Sequence, residues 1–393
     1  MVLTRQFFIY YRKLDRSKSV SLALSICLLI LYCEVIVYYL VILQCTWPEI
    51  NRGLEGDGTI DPPDERLPLR MMLLADTHLL GPKTGNWFDK LRREWQMYRA
   101  FQTAMLIHKP DAVAFLGDIF DEGHFSDDWQ FKRYMERFYD LFYVPEGTRV
   151  LTAVGNHDVG FHYRMFRHFT ERFDSGFNTS SVQLTVLNGN IFVTINSMAM
   201  HGDGCNFCQE AEYRLDRLSK MMQCSQGQAT TAKQCERMGN LPGYSRPILL
   251  QHFPLYRTSD ASCTEPDAAP APEKHVKFRE KWECLSKAAT RKLLRKLKPR
   301  VAFSGHTHHG CLVVHEDDIP EWTLPSFSWR NKNNPSFALA VFTPTNFSVN
   351  KCYLPLESTV INTYVLGTAA CVVGWYIVFL WYIVFFFSHA AKS

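Results

Sequence analysis

The sequence predicts an α/β layered domain flanked by two membrane-spanning helices. Two long apolar segments, 20–43 and 360–387, lie near the ends of the 393-residue chain. Apolar segments of about 20 residues or more are long enough to cross a bilayer, because a helix satisfies its own backbone polar groups. Between them, short apolar runs alternate with amphipathic patterns of period 3.6, which is typical of α/β folds.

The N-terminal segment determines the expected orientation. Residues 1–19 carry five basic residues and one acidic residue, whereas Arg52 is the only basic residue among the twenty that follow the first apolar segment. Because cytosolic flanks are rich in Lys and Arg, we expect 1–19 to be a cytosolic basic tail. The central region is then luminal, and 388–393 form a second cytosolic tail.

Each apolar segment also has an alternative interpretation. The first could be a cleaved signal peptide, but it is longer than the roughly 7–15 apolar residues of such a peptide. The second could belong to a lipid-anchor attachment signal, but its length and the following Lys392 favour a retained helix. Glu34 interrupts the first segment, and its carboxyl group is either functional or a tolerated, protonated side chain.

The net charge of +4 is concentrated in the N-terminal tail, and the region 44–388 is neutral by count. A protein that binds nucleic acid needs a basic face or stripe for the phosphate backbone. We therefore expect no nucleic-acid partner.

The luminal region divides into a linker, a domain and an insertion. Residues 44–68 are rich in Pro, Gly and acidic residues and predict a luminal linker, whereas 69–357 predict the folded domain, with a Cys-rich insertion at 202–245. The predicted strands are 69–75, 112–116, 150–154, 191–195, 248–250 and 301–303. The predicted helices are 89–108, 128–142 and 285–297.

Nine of the twelve cysteines fall in the luminal region, where disulfides persist. An odd number leaves at least one thiol free or paired between chains. The group Cys205, Cys208, Cys224 and Cys235 indicates either a disulfide-stapled insertion or a four-cysteine zinc site, and an oxidising lumen favours the staple.

Polar motifs follow most of the predicted strands, at the point where each strand ends. They are Asp76-Thr77-His78, Gly117-Asp118, Gly155-Asn156-His157-Asp158, His252 and Gly305-His306-Thr307-His308. Because α/β sheets bind ligands at the carboxyl ends of their strands, we expect these side chains to converge at one edge.

The residue types suit a pair of metal ions. Two ions about 3.5–4 Å apart need one bridging carboxylate, and imidazole, carboxylate and amide groups complete each set of ligands. Asp118 is the expected bridge. One site would comprise Asp76, His78 and one of the two histidines His306 and His308; the other would comprise Asn156, His252 and the remaining histidine.

This ordered set of motifs resembles the pattern of the calcineurin-like metallophosphoesterase family, D-x-H, G-D, G-N-H-D/E, H and G-H-x-H. The resemblance covers residues 69–310 with no ligand missing. It implies a four-layer α-β-β-α sandwich, two divalent metals and phosphoester hydrolysis, so that the protein would be a metal-dependent phosphoric ester hydrolase.

His157 and Asp158 lie beside the proposed ligand Asn156. The resemblance implies that His157 stabilises the transition state or protonates the leaving oxygen. We expect Asp158 to fix the tautomer of His157. His162, His201 and His309 also lie close to the motifs, where packing at the surface or behind the metal ligands is a simpler role than contact with substrate.

Three further segments, 160–163, 252–257 and 328–331, are similar to one membrane-bound eukaryotic branch of this family. That branch includes a phosphodiesterase that removes a side-chain ethanolamine phosphate from GPI anchors, and the resemblance implies action on the second mannose. The resemblance implies manganese as the metal, with zinc or iron as alternatives, GPI-anchored proteins as substrates, and contact with cargo-export machinery. It also implies a multi-pass membrane protein of the endoplasmic reticulum, the ER–Golgi intermediate compartment and the Golgi, although the C-terminal HAAKS has one lysine where a retrieval signal would have two.

Two other functions fit the same features. The substrate could be another phospholipid head group or a phosphoprotein. The chain could also be a non-catalytic receptor for GPI-anchored cargo, which the intact set of ligands and His157 disfavours.

Overall fold

The computed structural model describes residues 19–50, 68–227, 235, 241 and 243–390. Most of the predicted tail 1–19 and of the predicted linker 44–68, part of the insertion 202–245 and the end of the tail 388–393 lie outside the described residues. The chain forms two compact units. One contains the apolar helices, and the other spans residues 42–354.

Strands and helices largely alternate along the domain up to residue 304, as the sequence predicts, and four further strands then follow without an α-helix between them. The strands are β1 (Leu69–Leu74), β2 (Ala112–Leu116), β3 (Arg149–Ala153), β4 (Val182–Leu187), β5 (Asn190–Ile195), β6 (Ile248–Gln251), β7 (Val301–Ser304), β8 (Cys311–His315), β9 (Ile319–Thr323), β10 (Ser336–Phe342) and β11 (Phe347–Tyr353). The helices are α1 (Ser19–Ile42), α2 (Trp87–His108), α3 (Asp128–Leu141), α4 (Asn156–Val159), α5 (Arg167–Phe177), α6 (Asn206–Ser225), α7 (Ala271–Lys274), α8 (Lys287–Leu297) and α9 (Glu357–Ala390).

The strands form two mixed sheets. The first has the order β11-β10-β1-β2-β3, and the second has the order β4-β5-β6-β7-β9-β8. Strands β1, β2 and β3 are parallel, and so are β5, β6 and β7. The carboxyl ends of the motif-bearing strands in each sheet therefore point the same way.

The hydrophobic core lies between the two sheets. Alternate residues of β2, among them Ala114 and Leu116, belong to this core. Across the gap, Phe342 of β10 contacts Phe192 of β5 and Phe303 of β7, with ring centroids 5.5 and 6.1 Å apart. Facing sheets packed in this way bury one side of every strand.

Helices cover the outer faces of both sheets. Phe115 of β2 contacts Phe101 of α2 and Phe138 of α3, with ring centroids 6.1 and 4.9 Å apart. On the other side, α6 contacts β4 and α8, and the Ser219 hydroxyl of α6 donates to the Lys296 carbonyl of α8 at 2.9 Å. The predicted α-β-β-α sandwich is therefore confirmed.

Capping side chains explain where the predicted helices begin. Asn86, Asp127 and Ser286 each accept a hydrogen bond from the backbone amide three residues later, at the starts of α2, α3 and α8. Such caps satisfy amides that have no partner inside the helix. The predicted starts at residues 89, 128 and 285 lie within two residues of the observed ones.

Three disulfides hold the domain, joining Cys45 to Cys352, Cys224 to Cys235, and Cys263 to Cys311. The favoured staple of the insertion is present as one disulfide, between Cys224 and Cys235, whereas Cys205 and Cys208 form no disulfide. The pairing of Cys224 with Cys235 also excludes a zinc site built from all four cysteines.

The start of the predicted linker is held against the domain. The Trp47 indole donates to the His108 carbonyl at 3.2 Å, and the Thr46 carbonyl accepts from the Asn350 side chain at 3.1 Å. Together with the disulfide of Cys45, these contacts hold Thr46 and Trp47 on the domain.

The apolar helices form a unit of their own. Ser19–Ile42 and Glu357–Trp381 are long and apolar enough to cross a membrane. Within α1, a π-helical turn at Tyr32–Ile36 contains Glu34, whose carboxylate accepts a hydrogen bond from the Tyr364 hydroxyl of α9. A π-helical turn inside an α-helix often marks a functional or strained position.

Candidate metal centre

The strand ends of both sheets deliver polar side chains to one place. Asp76 follows β1 and Asp118 follows β2, while His252 and His306 follow β6 and β7. Backbone hydrogen bonds connect these ends: the Asp76 amide donates to the Gly117 carbonyl at 3.1 Å, and the Gly305 amide donates to the His252 carbonyl at 2.9 Å.

Four side chains form a first group, consisting of Asp76, His78, Asp118 and His308. The His78 Nε2 atom lies 3.8 Å from Asp76 Oδ1, 3.6 Å from Asp118 Oδ2 and 3.2 Å from His308 Nε2. All four ligand-type atoms lie within 4.8 Å of one another.

A second group lies beside the first and consists of Asp118, Asn156, His252 and His306. The His252 Nε2 atom lies 3.2 Å from each of Asp118 Oδ2, Asn156 Oδ1 and His306 Nδ1. The structure therefore brings together all seven side chains that the sequence singles out as metal ligands. It places His308 with the first group and His306 with the second, a choice that the sequence leaves open.

Asp118 belongs to both groups. Its Oδ2 atom faces His78 on one side and His252 on the other, and its Oδ1 atom accepts from the His157 amide at 2.7 Å. A carboxylate in this position has the geometry of a bridging ligand.

The donor atoms fit a pair of divalent ions. Asp76 Oδ1 is buried and has no hydrogen-bond partner among the described residues. A buried carboxylate oxygen without a partner is costly, and a cation would compensate it. Imidazole and carboxylate ligands are those that zinc, iron and manganese use.

Three of the imidazoles have one ring nitrogen that contacts a group outside the set of proposed ligands. Their other ring nitrogen faces the centre of the cluster. His252 Nδ1 donates to the Leu116 carbonyl at 2.8 Å, and His306 Nε2 donates to the Trp282 carbonyl at 2.6 Å. His78 Nδ1 lies 3.0 Å from Asp121 Oδ1. Supporting hydrogen bonds of this kind orient metal-binding histidines and fix their tautomers.

Three further residues, Asp121, Trp282 and Asn331, contact the proposed ligands but are not among the predicted site residues. Asp121 has a weak signal, since it lies three residues after Asp118 on the same strand-end loop. Trp282 acts through its backbone carbonyl, which no sequence pattern reveals. Asn331 lies with its amide nitrogen 3.3 Å from His308 Nε2, in the segment 328–331 that the sequence singles out for another reason.

The backbone at the site adopts uncommon conformations. Among residues other than glycine, φ is positive at Asp76, His78, Asp118, His306 and His308, with values from 44° to 74°. Left-handed backbone is unfavourable for L-residues and concentrates at functional sites, where the surrounding structure enforces it.

Two glycines are required by close approach. At Gly117, φ is 90°, and an added Cβ would lie 2.6 Å from His252 Nδ1. At Gly155, an added Cβ would lie 2.1 Å from Asp118 Oδ1. Both contacts are too short for any side chain, so these positions keep the strand ends close to the cluster.

Burial and neighbouring charges both shift the pKa values of the side chains inside the cluster. Burial raises the pKa of Asp76, and the Asp118 carboxylate adds to the rise, to about 7, against the attraction of His252. Burial lowers the pKa of His252, but Asp118 and Asp76 outweigh it and raise that pKa to about 9. Burial and the neighbouring imidazole of His78 lower the pKa of His308 well below its ordinary value.

His157 lies at the edge of the cluster, and its side chain is 38% exposed. Its Nδ1 atom lies 2.9 Å from the Asp121 carbonyl oxygen, to which it donates. Burial lowers the pKa of His157, but the Asp118 and Asp121 carboxylates outweigh it, so the net direction is upward.

Asp158 differs from its predicted role. Its two carboxylate oxygens accept from the Phe120 and Gly155 amides, each at 2.9 Å, and no hydrogen bond joins it to the His157 ring. The expectation that Asp158 fixes the tautomer of His157 is therefore wrong, because the Asp121 carbonyl occupies that position. Asp158 instead holds the loop that carries Asn156 and His157.

Comparisons of the sequence with known proteins identify one family. The profile of the calcineurin-like phosphoesterase family matches residues 69–310. Metallophosphoesterase 1 from Gallus gallus is 48% identical over 345 residues, covering 88% of this chain and 86% of the relative. Metallophosphoesterase 1 from Rattus norvegicus is 46% identical over 367 residues, covering 93% and 91%. Among solved structures, a dimetal phosphatase from Danio rerio aligns with 74% of this chain and 99% of its own, with a TM-score of 0.44 and 14% identity.

Proposed function

Because the chain belongs to the calcineurin-like phosphoesterase family and is a metal-dependent phosphoester hydrolase, we propose that it is a membrane-bound phosphodiesterase acting on GPI anchors. The reaction removes the side-chain ethanolamine phosphate from the second mannose. It takes place on the luminal side of the early secretory pathway, from the endoplasmic reticulum to the Golgi, and promotes export of GPI-anchored proteins. Manganese is the proposed metal.

The proposal rests on the positions of the three segments whose sequences resemble the GPI-processing branch of the family. Phe161, from the segment 160–163, contacts the His306 ring with a centroid distance of 6.5 Å. Phe253, from 252–257, stacks on His306 at 4.0 Å. Asn331, from 328–331, lies next to His308. The segments that resemble the GPI-processing branch therefore border the cluster, where they would meet the substrate.

Aromatic side chains at this border suit a sugar substrate. Phe161 and Trp282 contact each other with centroids 5.0 Å apart, and Tyr163 contacts Trp282 at 5.7 Å. Trp282 and Tyr163 are 40% and 60% exposed. A sugar ring has an apolar face with hydrogen-bonding groups around it. Exposed aromatic rings beside a polar site are complementary to such a ring.

The proposed ligands of the two ions are Asp76, His78, Asp118 and His308 for one, and Asp118, Asn156, His252 and His306 for the other. Two divalent ions at such a site lower the pKa of water and offset the charge of phosphoryl oxygens. The chain's own groups position this chemistry through the hydrogen bonds that hold the imidazoles.

His157 is the proposed proton donor. Hydrolysis breaks the bond between phosphorus and the mannose oxygen, and the leaving oxygen must take up a proton. With Nδ1 held by the Asp121 carbonyl, Nε2 is the nitrogen left to donate. The upward direction of the His157 pKa favours the protonated imidazole that this step needs.

A glycan assay tests the function. Full-length protein in detergent is incubated with a GPI-anchored protein and Mn²⁺, and the glycan mass is measured. The expected result is loss of ethanolamine phosphate from the second mannose, abolished by chelator. We expect Asp118→Asn to lower kcat/KM by at least about 100-fold, the scale at which loss of one preorganised electrostatic group acts. Asp140→Asn, at an exposed position on α3, is the matched control.

Parallel assays on phospholipid head groups and phosphoproteins separate the alternatives. Turnover of one of these substrates, with an unchanged GPI glycan, would replace the proposed substrate and leave the hydrolase assignment intact.

A further inference from the structure

A second cluster of metal-binding side chains lies outside the catalytic centre. It comprises His162, Asp203, Cys205 and Cys208, whose ligand-type atoms all lie within 4.8 Å of one another. The cluster joins the loop after α4 to the first turn of α6. None of its members belongs to the two groups described above.

Each ring nitrogen of His162 faces a hydrogen-bond acceptor, so both nitrogens would have to carry a proton to donate. Its Nδ1 atom lies 3.0 Å from the Met198 carbonyl oxygen, and its Nε2 atom lies 2.7 Å from Asp203 Oδ2. A neutral imidazole has one N–H and can serve only one of them. When Nδ1 donates to the carbonyl, Nε2 presents a lone pair toward a carboxylate, and a cation between them satisfies both.

The two cysteines complete this arrangement. The Cys208 amide donates to Cys205 Sγ at 3.0 Å, and Cys208 Sγ lies 3.3 Å from Asp203 Oδ1. Cys-x-x-Cys at the start of a helix is a common arrangement of two zinc-binding thiolates. Cys208 is 1% exposed, and His162 is 12% exposed.

We propose that His162, Asp203, Cys205 and Cys208 bind a structural zinc ion, separate from the two catalytic metals. Two thiolates, one imidazole and one carboxylate make a tetrahedral donor set that favours zinc over manganese, because thiolates are soft ligands. Bonds of about 2.0–2.3 Å place tetrahedral ligands roughly 3.3–3.8 Å apart, and the four ligand-type atoms here lie within 4.8 Å of one another.

The ion would fix one wall of the catalytic mouth. His162 directly follows Phe161, which contacts Trp282 and His306. Binding at His162 would tie this aromatic segment to α6. The site does not depend on which phosphodiester the enzyme cleaves.

Cobalt substitution tests the site on full-length protein in detergent. Thiolate ligands give Co²⁺ a ligand-to-metal charge-transfer absorption, and the catalytic groups contain no cysteine. We expect this absorption in the wild-type protein and its loss in Cys205→Ser/Cys208→Ser. The control Cys27→Ser/Cys371→Ser removes two free cysteines of the apolar helices and is expected to keep it.

Metal analysis and thiol chemistry give a second measurement that needs no variant. We expect one zinc equivalent per chain to remain after manganese is exchanged, and Cys205 and Cys208 to react with an alkylating agent only after zinc is removed. A wild-type mass two hydrogens lower, with both cysteines in a disulfide, would overturn the proposal. Absence of the charge-transfer band in the wild-type protein would overturn it as well.

Discussion

At the scale of single residues, Asp121 supports both parts of the centre. Its carboxylate lies 3.0 Å from His78 Nδ1, and its carbonyl accepts from His157. The Arg330 guanidinium lies 3.7 Å from the other carboxylate oxygen. Asp121 is thus a positioning residue that acts through two histidines.

We expect Asp121→Asn to weaken metal binding by about 10- to 100-fold, because an amide holds the His78 imidazole less firmly than a carboxylate does. The measurement is the dissociation constant of Mn²⁺ and the metal concentration at half-maximal activity. Excess metal should restore most of the activity. An unchanged metal affinity beside the control Asp140→Asn would contradict this role.

Asp174 of α5 makes stability depend on pH. Burial raises its pKa to about 7, whereas an unfolded aspartate titrates near pH 3.9. The native carboxyl therefore holds its proton more tightly, so its contribution to stability is full below about pH 4 and is lost as the pH rises toward 7.

We expect Asp174→Asn to flatten the dependence of Tm on pH between about 4 and 7 and to raise the stability at pH 8 by on the order of 1–3 kcal/mol. Thermal unfolding of the detergent-solubilised protein across this range is the measurement. A pH dependence identical to that of the wild type would show that burial of Asp174 has no such effect.

The side chains that the sequence singles out as metal ligands lie together in the structure, and their signals in the sequence are local. Each proposed ligand lies within four residues of the end of an apolar strand, as Asp118 does after β2 and His252 does after β6. The supporting groups were missed for the opposite reason: the Trp282 carbonyl reaches His306 across 24 positions of sequence. The predicted contact of Asp158 with His157 is wrong because adjacency in sequence does not determine the direction of a side chain at the start of a helix.

At the scale of elements, the strands and helices that the sequence predicts from a clear period are present. Other elements were not predicted, each for a reason that its sequence shows. Helix α6 buries Ala211, Leu215, Leu218 and Met222 at helical spacing. The cysteines of the same segment instead favour the prediction of a Cys-rich insertion. Strand β9 contains Pro320, a residue that argues against a strand. Pro320 is tolerated because the parallel pairing with β7 begins at Glu321.

The pairing of α1 with α9 depends on a small residue. A Cβ added at Gly367 would lie 2.6 Å from Leu29 Cδ1, whereas Gly374, about two turns further along α9, has open space around it. Close helix packing at small residues is a main source of helix association within membranes.

We expect Gly367→Leu to lower the thermal stability of the helix pair, at a cost of about 1–3 kcal/mol for overpacking. Gly374→Leu is the matched control on the same helix and is expected to change little. The measurement is Tm in detergent, together with cysteine crosslinking between α1 and α9. Equal effects of the two substitutions would contradict the observed packing.

At the scale of the whole molecule, the proposed orientation makes a direct prediction. In sealed microsomes, we expect protease to remove a tag on the N-terminus and to leave the domain intact, because a basic tail stays in the cytosol. Digestion of the domain in unbroken vesicles would refute the luminal assignment.

Glycosylation gives an independent measurement of the same orientation. Asn178 and Asn346 begin two sequons, and both side chains are exposed. We expect the protein from eukaryotic cells to migrate faster after glycosidase treatment, and Asn178→Gln/Asn346→Gln to remove that difference.

The disulfide between Cys45 and Cys352 spans 307 positions of sequence. A single protease cut anywhere between these two residues would produce one fragment with α1 and another with α9, still joined through sulfur. Such a nicked molecule would run as one band on a gel without reductant and as two bands with it. Enzyme damaged in this way would remain one covalent molecule, with both of its apolar helices, until the bond is reduced.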